Sequence, residues 1–108
     1  MRKLQVALLI AVAGSVAACA SSISSYESNV FLQRADHLVT VLDKAIDRAG
    51  QLPNDSRRVD ELQRLGRLAN QLGRERLEGY MSYVDDDLVR FRAAEAELGK
   101  IEALLPVH

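Results

Sequence analysis

Apolar residues recur at three- and four-residue intervals through most of the chain beyond its first quarter. Phe31, Ala35, Leu38, Leu42, Ala45 and Ala49 fall on one face, and Leu32, Val39 and Ile46 widen it. That is the period of a helix, not the alternation of a strand. The pattern predicts a first helix over about residues 28–49, with Ser25 or Ser28 as its cap. Gly50 supplies the stop, and Gln51-Leu52-Pro53-Asn54-Asp55 has the composition of a turn.

A second helix starts from Asp55 or Ser56 and places Val59, Leu62, Leu65, Ala69 and Leu72 on one face. Gly66 and Gly73 weaken it by up to about 1 kcal/mol each relative to Ala. The apolar phase slips near Gly73 to Arg76 and restarts at Leu77. From there Leu77, Val84, Phe91, Leu98 and Leu105 recur at every seventh position, with Met81 and Leu88 beside them. Such a stripe packs on partner helices in the manner of a coiled coil. Two readings of residues 57–104 stay open. A break near Gly79, with Ser82-Tyr83-Val84-Asp85 as a capping box, gives helices over about 57–78 and 82–104 and an antiparallel three-helix bundle. An unbroken helix about 72 Å long gives a helical hairpin instead, with nothing from the first helix to cover its second half. The bundle is the expected fold, all-α in class, and Pro106 ends its last helix.

The start of the chain has a different character. Arg2 and Lys3 precede an apolar core from Val6 to Ala13, closed by Gly14-Ser15. A spanning helix needs about 20 apolar residues, so this run reads as a cleaved leader. It ends in Val16-Ala17-Ala18-Cys19, and Cys19 is the chain's single cysteine. An ordinary cleavage site would leave a lone thiol in an oxidising compartment, without a partner. The stretch resembles the lipobox of bacterial lipoproteins. The resemblance implies cleavage after Ala18, a diacylglyceryl thioether on Cys19 and an acyl chain on its amino group, and multiple chains make anchoring durable. It also implies sorting by the next residue. Ala20 stands where Asp would retain an enteric lipoprotein in the inner membrane, which places this chain on the outer membrane, facing the periplasm. The outer face of the cytoplasmic membrane is the alternative. Residues 19–26 then form the lipidated end and a Ser-rich tether, and residues 27–105 the helical domain.

Losing the 18-residue leader of this 108-residue chain leaves 90 residues, one small domain. Without Arg2 and Lys3 it carries 12 basic and 15 acidic residues, so no basic excess attracts nucleic acid or anionic lipid. A second cysteine for a disulfide is absent, so stability rests on helix packing or a partner. Residues 57–76 are rich in arginine and residues 77–104 in acids, which complement one another if the two segments run antiparallel. Asp85-Asp86-Asp87 cannot converge on one ion from successive helical positions, and it suits a helix N-terminus. His37 is the one histidine in the folded region and has no cysteine to join it in a zinc site; His108 is terminal. Ser56 and Ser82 read as caps rather than nucleophiles. Tyr80 and Tyr83 flank the proposed second turn with Met81. No catalytic set, metal site, cofactor or small-molecule substrate is therefore expected.

What remains is an interaction role in the cell envelope. In size, lipobox and helical content the chain is similar in type to the small α-helical pilotin lipoproteins of secretins. It departs from the type II pilotins, which carry a disulfide that this chain cannot form. The resemblance implies a groove that takes up a partner's helix, here lined by Leu77, Met81, Val84, Leu88, Phe91 and Leu98 with the first helix. The alternative is a self-associating structural, stress or exclusion lipoprotein that pairs through its seven-residue repeat.

Overall fold

The computed structural model of the chain describes residues 22–105, which form three α-helices: α1 (Ser25–Gly50), α2 (Ser56–Val84) and α3 (Leu88–Leu104). The fold is an all-α bundle in which α2 runs antiparallel to both neighbours. Arg76 of α2 meets Asp36 of α1 at 2.9 Å, and Arg90 of α3 meets Glu78 of α2 at 2.9 Å. α1 and α3 run parallel, joined by Arg92–Glu27 at 2.7 Å and Arg34–Glu102 at 3.2 Å. These pairs lie at the surface, so they fix orientation more than they stabilise.

α1 begins at Ser25, and its cap is Ser24 rather than Ser25 or Ser28. The Ser24 hydroxyl accepts from the Glu27 backbone N–H at 3.0 Å, and the Glu27 carboxylate accepts from the Ser24 N–H at 3.3 Å. This reciprocal pair satisfies donors that a helix start leaves open. Ile23, just before the cap, is buried. The domain therefore begins four residues earlier than residue 27, and the expected tether is correspondingly shorter. The face expected for α1 is the face buried: Phe31, Ala35, Leu38, Leu42, Ala45 and Ala49.

Asp55 caps α2, its carboxylate accepting from the Arg57 N–H at 3.0 Å. α2 does not end near Gly79 but continues to Val84. Gly79 is buried in mid-helix, where the Phe31 ring lies against its backbone. Ser82 is not a cap either. It is fully buried and its hydroxyl donates to the Glu78 carbonyl one turn back, a bond that satisfies the side chain without ending the helix. The break falls at Asp85-Asp86-Asp87. Asp85 closes α2, Asp86 takes a left-handed conformation with φ 53°, and Asp87 caps α3 by accepting from the Arg90 N–H at 3.1 Å. The left-handed region suits Asp and Asn better than most residues, because their short polar chains bond locally.

The seven-residue stripe is therefore not one surface. The reversal at 85–87 splits it: Leu77, Met81 and Val84 stay exposed on α2, while Phe91, Leu98 and Leu105 enter the core from α3 and Leu88 is half-buried. Leu65, Leu68 and Leu72 complete the α2 contribution, and Phe31 and Phe91 meet at the centre with ring centroids 5.5 Å apart. Leu105 is extended, as the residue before Pro106 requires.

Candidate partner-binding face

Each helix has one flank turned toward each neighbour. On α1, Arg34 marks the flank facing α3 and Asp36 the flank facing α2. With 100° between successive residues, Leu32, Val39, Asp43 and Ile46 share the Asp36 side. On α2 the matching flank carries Ala69, Gly73, Arg76 and Tyr80, with Leu77 and Val84 just beyond. α3 sits on the other side, where Arg64 of α2 donates to the Leu104 carbonyl at 3.1 Å. The α1/α2 pair thus has a covered side and an open one.

The open side is apolar toward the end of α2. Leu77, Tyr80, Met81 and Val84 follow the i, i+3, i+4, i+7 spacing of a helical stripe, yet all four are exposed, Leu77 by 60 % and Val84 by 55 %. Val39 of α1 is exposed beside Gly73 and Arg76, and Val59 is exposed near the start of α2. Between the helices lies a depression of about 150 Å³ lined by Leu42, Leu72, Val39, Ile46, Ala69 and Gly73, with the charged Asp43 and Arg76 at its border. The space is open because α2 presents Ala69 and Gly73 here. A Cβ at Gly66 or at Gly73 would meet no atom within 4 Å.

Charges of both signs border this face. The exposed part of α1 carries Asp36, Asp43 and Asp47, with Lys44 and Arg48 farther round the helix; on α2, Arg76 points toward α1, while Arg67 and Arg74 lie on the opposite side of the helix. Asp36 and Arg76 pair across the middle; Asp43, Asp47, Arg67 and Arg74 make no salt bridge among the described residues. Elsewhere the charges are used internally. Glu61 is held below the usual carboxylate range by its hydrogen bond from Arg64 and by that charge. Arg90 is pushed up by its hydrogen bonds to Glu78 and Asp85, and Glu27 is lowered first by its bond from Arg92. Glu75 goes the other way. Burial raises it, and the negative Glu97 and Glu78 raise it further.

The Asp85–Asp87 run serves three separate ends. Asp85 pairs with Arg90 at 3.1 Å, Asp87 caps α3, and Asp86 holds the start of the chain: its carboxylate accepts from the Ile23 N–H at 3.0 Å and from the Ser22 hydroxyl at 3.4 Å. This last role has no sequence signal beyond the acidic run itself. Among the described residues no group of three or more His, Cys, Asp or Glu side chains could hold a metal ion. His37 is exposed on α1 beside a separate depression that Lys44 and Arg48 also line, and Tyr83 is half-buried against the core. Of the six residues expected to take up a partner, Leu77, Met81 and Val84 lie on the open face. Phe91 and Leu98 belong to the core, with Leu88 packed on its edge. Val16, Ala17, Ala18 and Cys19 lie outside the described residues. No described helix is long and apolar enough to cross a membrane.

Comparison with protein-family models, with curated sequences and with solved structures finds no match.

Proposed function

We propose that this chain is an envelope lipoprotein, held on the periplasmic face of the outer membrane through acylated Cys19, whose bundle is a docking module for protein. The observation that carries the docking role is the Leu77–Tyr80–Met81–Val84 stripe. α2 already gives Leu65, Leu68 and Leu72 to the core, and a second apolar stripe on the same helix has no use inside the monomer. Contiguous exposed apolar surface of this kind marks an interaction site.

The anchor rests on the lipobox and on the arrangement that follows it. Ile23, the first buried residue among those described, comes four positions after Cys19, so at most about 14 Å of backbone separates the fold from the anchored residue. Asp86 fixes that end to the turn between α2 and α3.

Two measurements test the reading. Mass spectrometry of the amino-terminal peptide from the native host is expected to show an acylated Cys19; a bare thiol or an intact leader overturns the placement. A photo-crosslinking residue at Leu77 in cells is expected to give one discrete protein adduct, and one at Lys100 on α3 none. Equal yields at the two positions overturn the docking role.

A further inference from the structure

The end of the bundle where the chain enters carries an apolar surface of its own. We propose that this end rests on the lipid surface that anchors the chain, with the helices standing upright and the α1–α2 turn pointing away from the membrane, a placement that rests on the acylated Cys19 proposed above.

Three helix termini meet at this end. α1 starts at Ser25 and α3 at Leu88, while the antiparallel α2 finishes at Val84. Arg92 of α3 binds Glu27 of α1 at 2.7 Å, which sets the two helix starts level. The Asp86 carboxylate accepts from the Ile23 N–H at 3.0 Å, so the chain enters against the turn between α2 and α3. Tyr26 is the second residue of α1 and Val89 the second residue of α3. At 75 % and 81 % exposure they are the two most exposed large hydrophobic residues among those described, and Val84 closes α2 at the same end, 55 % exposed. A Cα–Cβ bond tilts toward the start of its helix, so Tyr26 and Val89 lean toward the end of the bundle.

The tether selects the neighbour of this end. Only residues 20–22 separate Cys19 from the buried Ile23, at most about 14 Å of backbone. A membrane holding Cys19 is therefore brought to the helix starts that carry Tyr26 and Val89. A tyrosine suits that level, its ring among apolar groups and its hydroxyl in water. Charge then selects the lipid. Glu27, Asp85, Asp86 and Asp87 stand at this end against Arg90 and Arg92, and both arginines are already bound to acids, Arg90 to Asp85 and Arg92 to Glu27. Anionic headgroups are drawn by a basic excess, which this end lacks. A zwitterionic surface fits it, met through apolar contact. The opposite end is built otherwise: α2 opens on Ser56-Arg57-Arg58, and Leu52 and Val59 there are 38 % and 49 % exposed.

The chain contains no tryptophan, so a single introduced one reports its own position. Tyr26→Trp, Val89→Trp and, in the α1–α2 turn, Asn54→Trp all change exposed residues and are expected to leave the helical circular dichroism unchanged. Each variant is purified from membranes of the native host and inserted into phosphatidylcholine vesicles whose lipids are brominated near the top of the acyl chains. Emission from Tyr26→Trp and Val89→Trp is expected to fall by about twofold or more, and that from Asn54→Trp to hold, because an interfacial apolar surface sinks to the headgroup boundary. Equal quenching at all three positions overturns the upright placement. So does a lack of quenching at positions 26 and 89, including one with a blue shift, the mark of a protein cover. Adding phosphatidylglycerol is expected to leave the quenching equal or weaker, and stronger quenching overturns the zwitterionic surface. An acylated chain without quenching at 26 and 89 refutes this surface and leaves the proposed anchor standing. A chain whose Cys19 is bare, yet quenched at 26 and 89 on the same vesicles, does the reverse.

Discussion

The Phe31 ring lies directly on the backbone of Gly79, in the space that any side chain at position 79 would occupy. This contact sets the distance between α1 and α2 at the level where Phe31 also meets Phe91. A glycine in mid-helix costs about 1 kcal/mol relative to Ala. Here that cost is offset by seating the largest core side chain of α1.

Two glycine replacements on the same helix should therefore differ in sign. Gly79→Ala is expected to destabilise by about 1–3 kcal/mol, because the ring must move within a packed core. Gly73→Ala, whose new methyl meets no atom, is expected to stabilise by up to about 1 kcal/mol. Urea midpoints of the two variants check this.

The split of the seven-residue stripe predicts a second contrast. Phe91→Ala is expected to cost about 3–5 kcal/mol and Leu98→Ala about 2–5, since both are fully buried. Leu77→Ala, at a position 60 % exposed, should stay within about 0.5 kcal/mol when measured on dilute protein. Equal losses at Leu77 and Leu98 would return both to one interface.

Asp86 combines a left-handed backbone with a side chain that ties down Ile23. Asp86→Gly would relieve the backbone but lose the tie, whereas Asp86→Asn keeps an acceptor and tolerates the conformation. Amide exchange at Ile23 is expected to quicken about tenfold or more in Asp86→Gly and to change little in Asp86→Asn, which corresponds to losing a bond worth roughly 1.5 kcal/mol.

Glu75 gives a pH signature. Its folded carboxyl is raised by burial and then by Glu97 and Glu78, so the folded state binds its proton more tightly than the unfolded state. Stability from this residue is highest below its ordinary value of 4.5 and declines as pH rises through the raised folded value. Glu61 and Glu27, both lowered, act in the opposite sense: their contribution is present above 4.5 and fades as pH falls through their folded values. Glu75→Gln is thus expected to melt higher than the parent at pH 7, with that advantage shrinking toward pH 4. Paired thermal scans at the two pH values decide it; an unchanged difference would mean that the charge at 75 has no bearing on stability.

Local chemistry was enough for much of this fold. The all-α class, the buried face of α1 from Phe31 to Ala49 and the turn over 51–55 all follow from residue spacing and turn composition, which act over a few neighbours and survive any arrangement of helices. The resemblance of Val16-Ala17-Ala18-Cys19 to a lipobox also concerns only four consecutive residues, and these lie outside the described structure. The site of the second break was decided by the tertiary structure. Gly79 and Ser82 have the composition of a helix end, but a packed Phe31 ring and a bond to the Glu78 carbonyl keep both inside α2, and three consecutive aspartates make the turn instead. Which apolar residues face out was decided there too. Leu77 and Leu98 occupy equivalent places in a linear repeat. Only when α3 folds back, held by Asp86 and Asp87, does one become core and the other surface, because a reversal of direction turns a single stripe into two faces of a bundle.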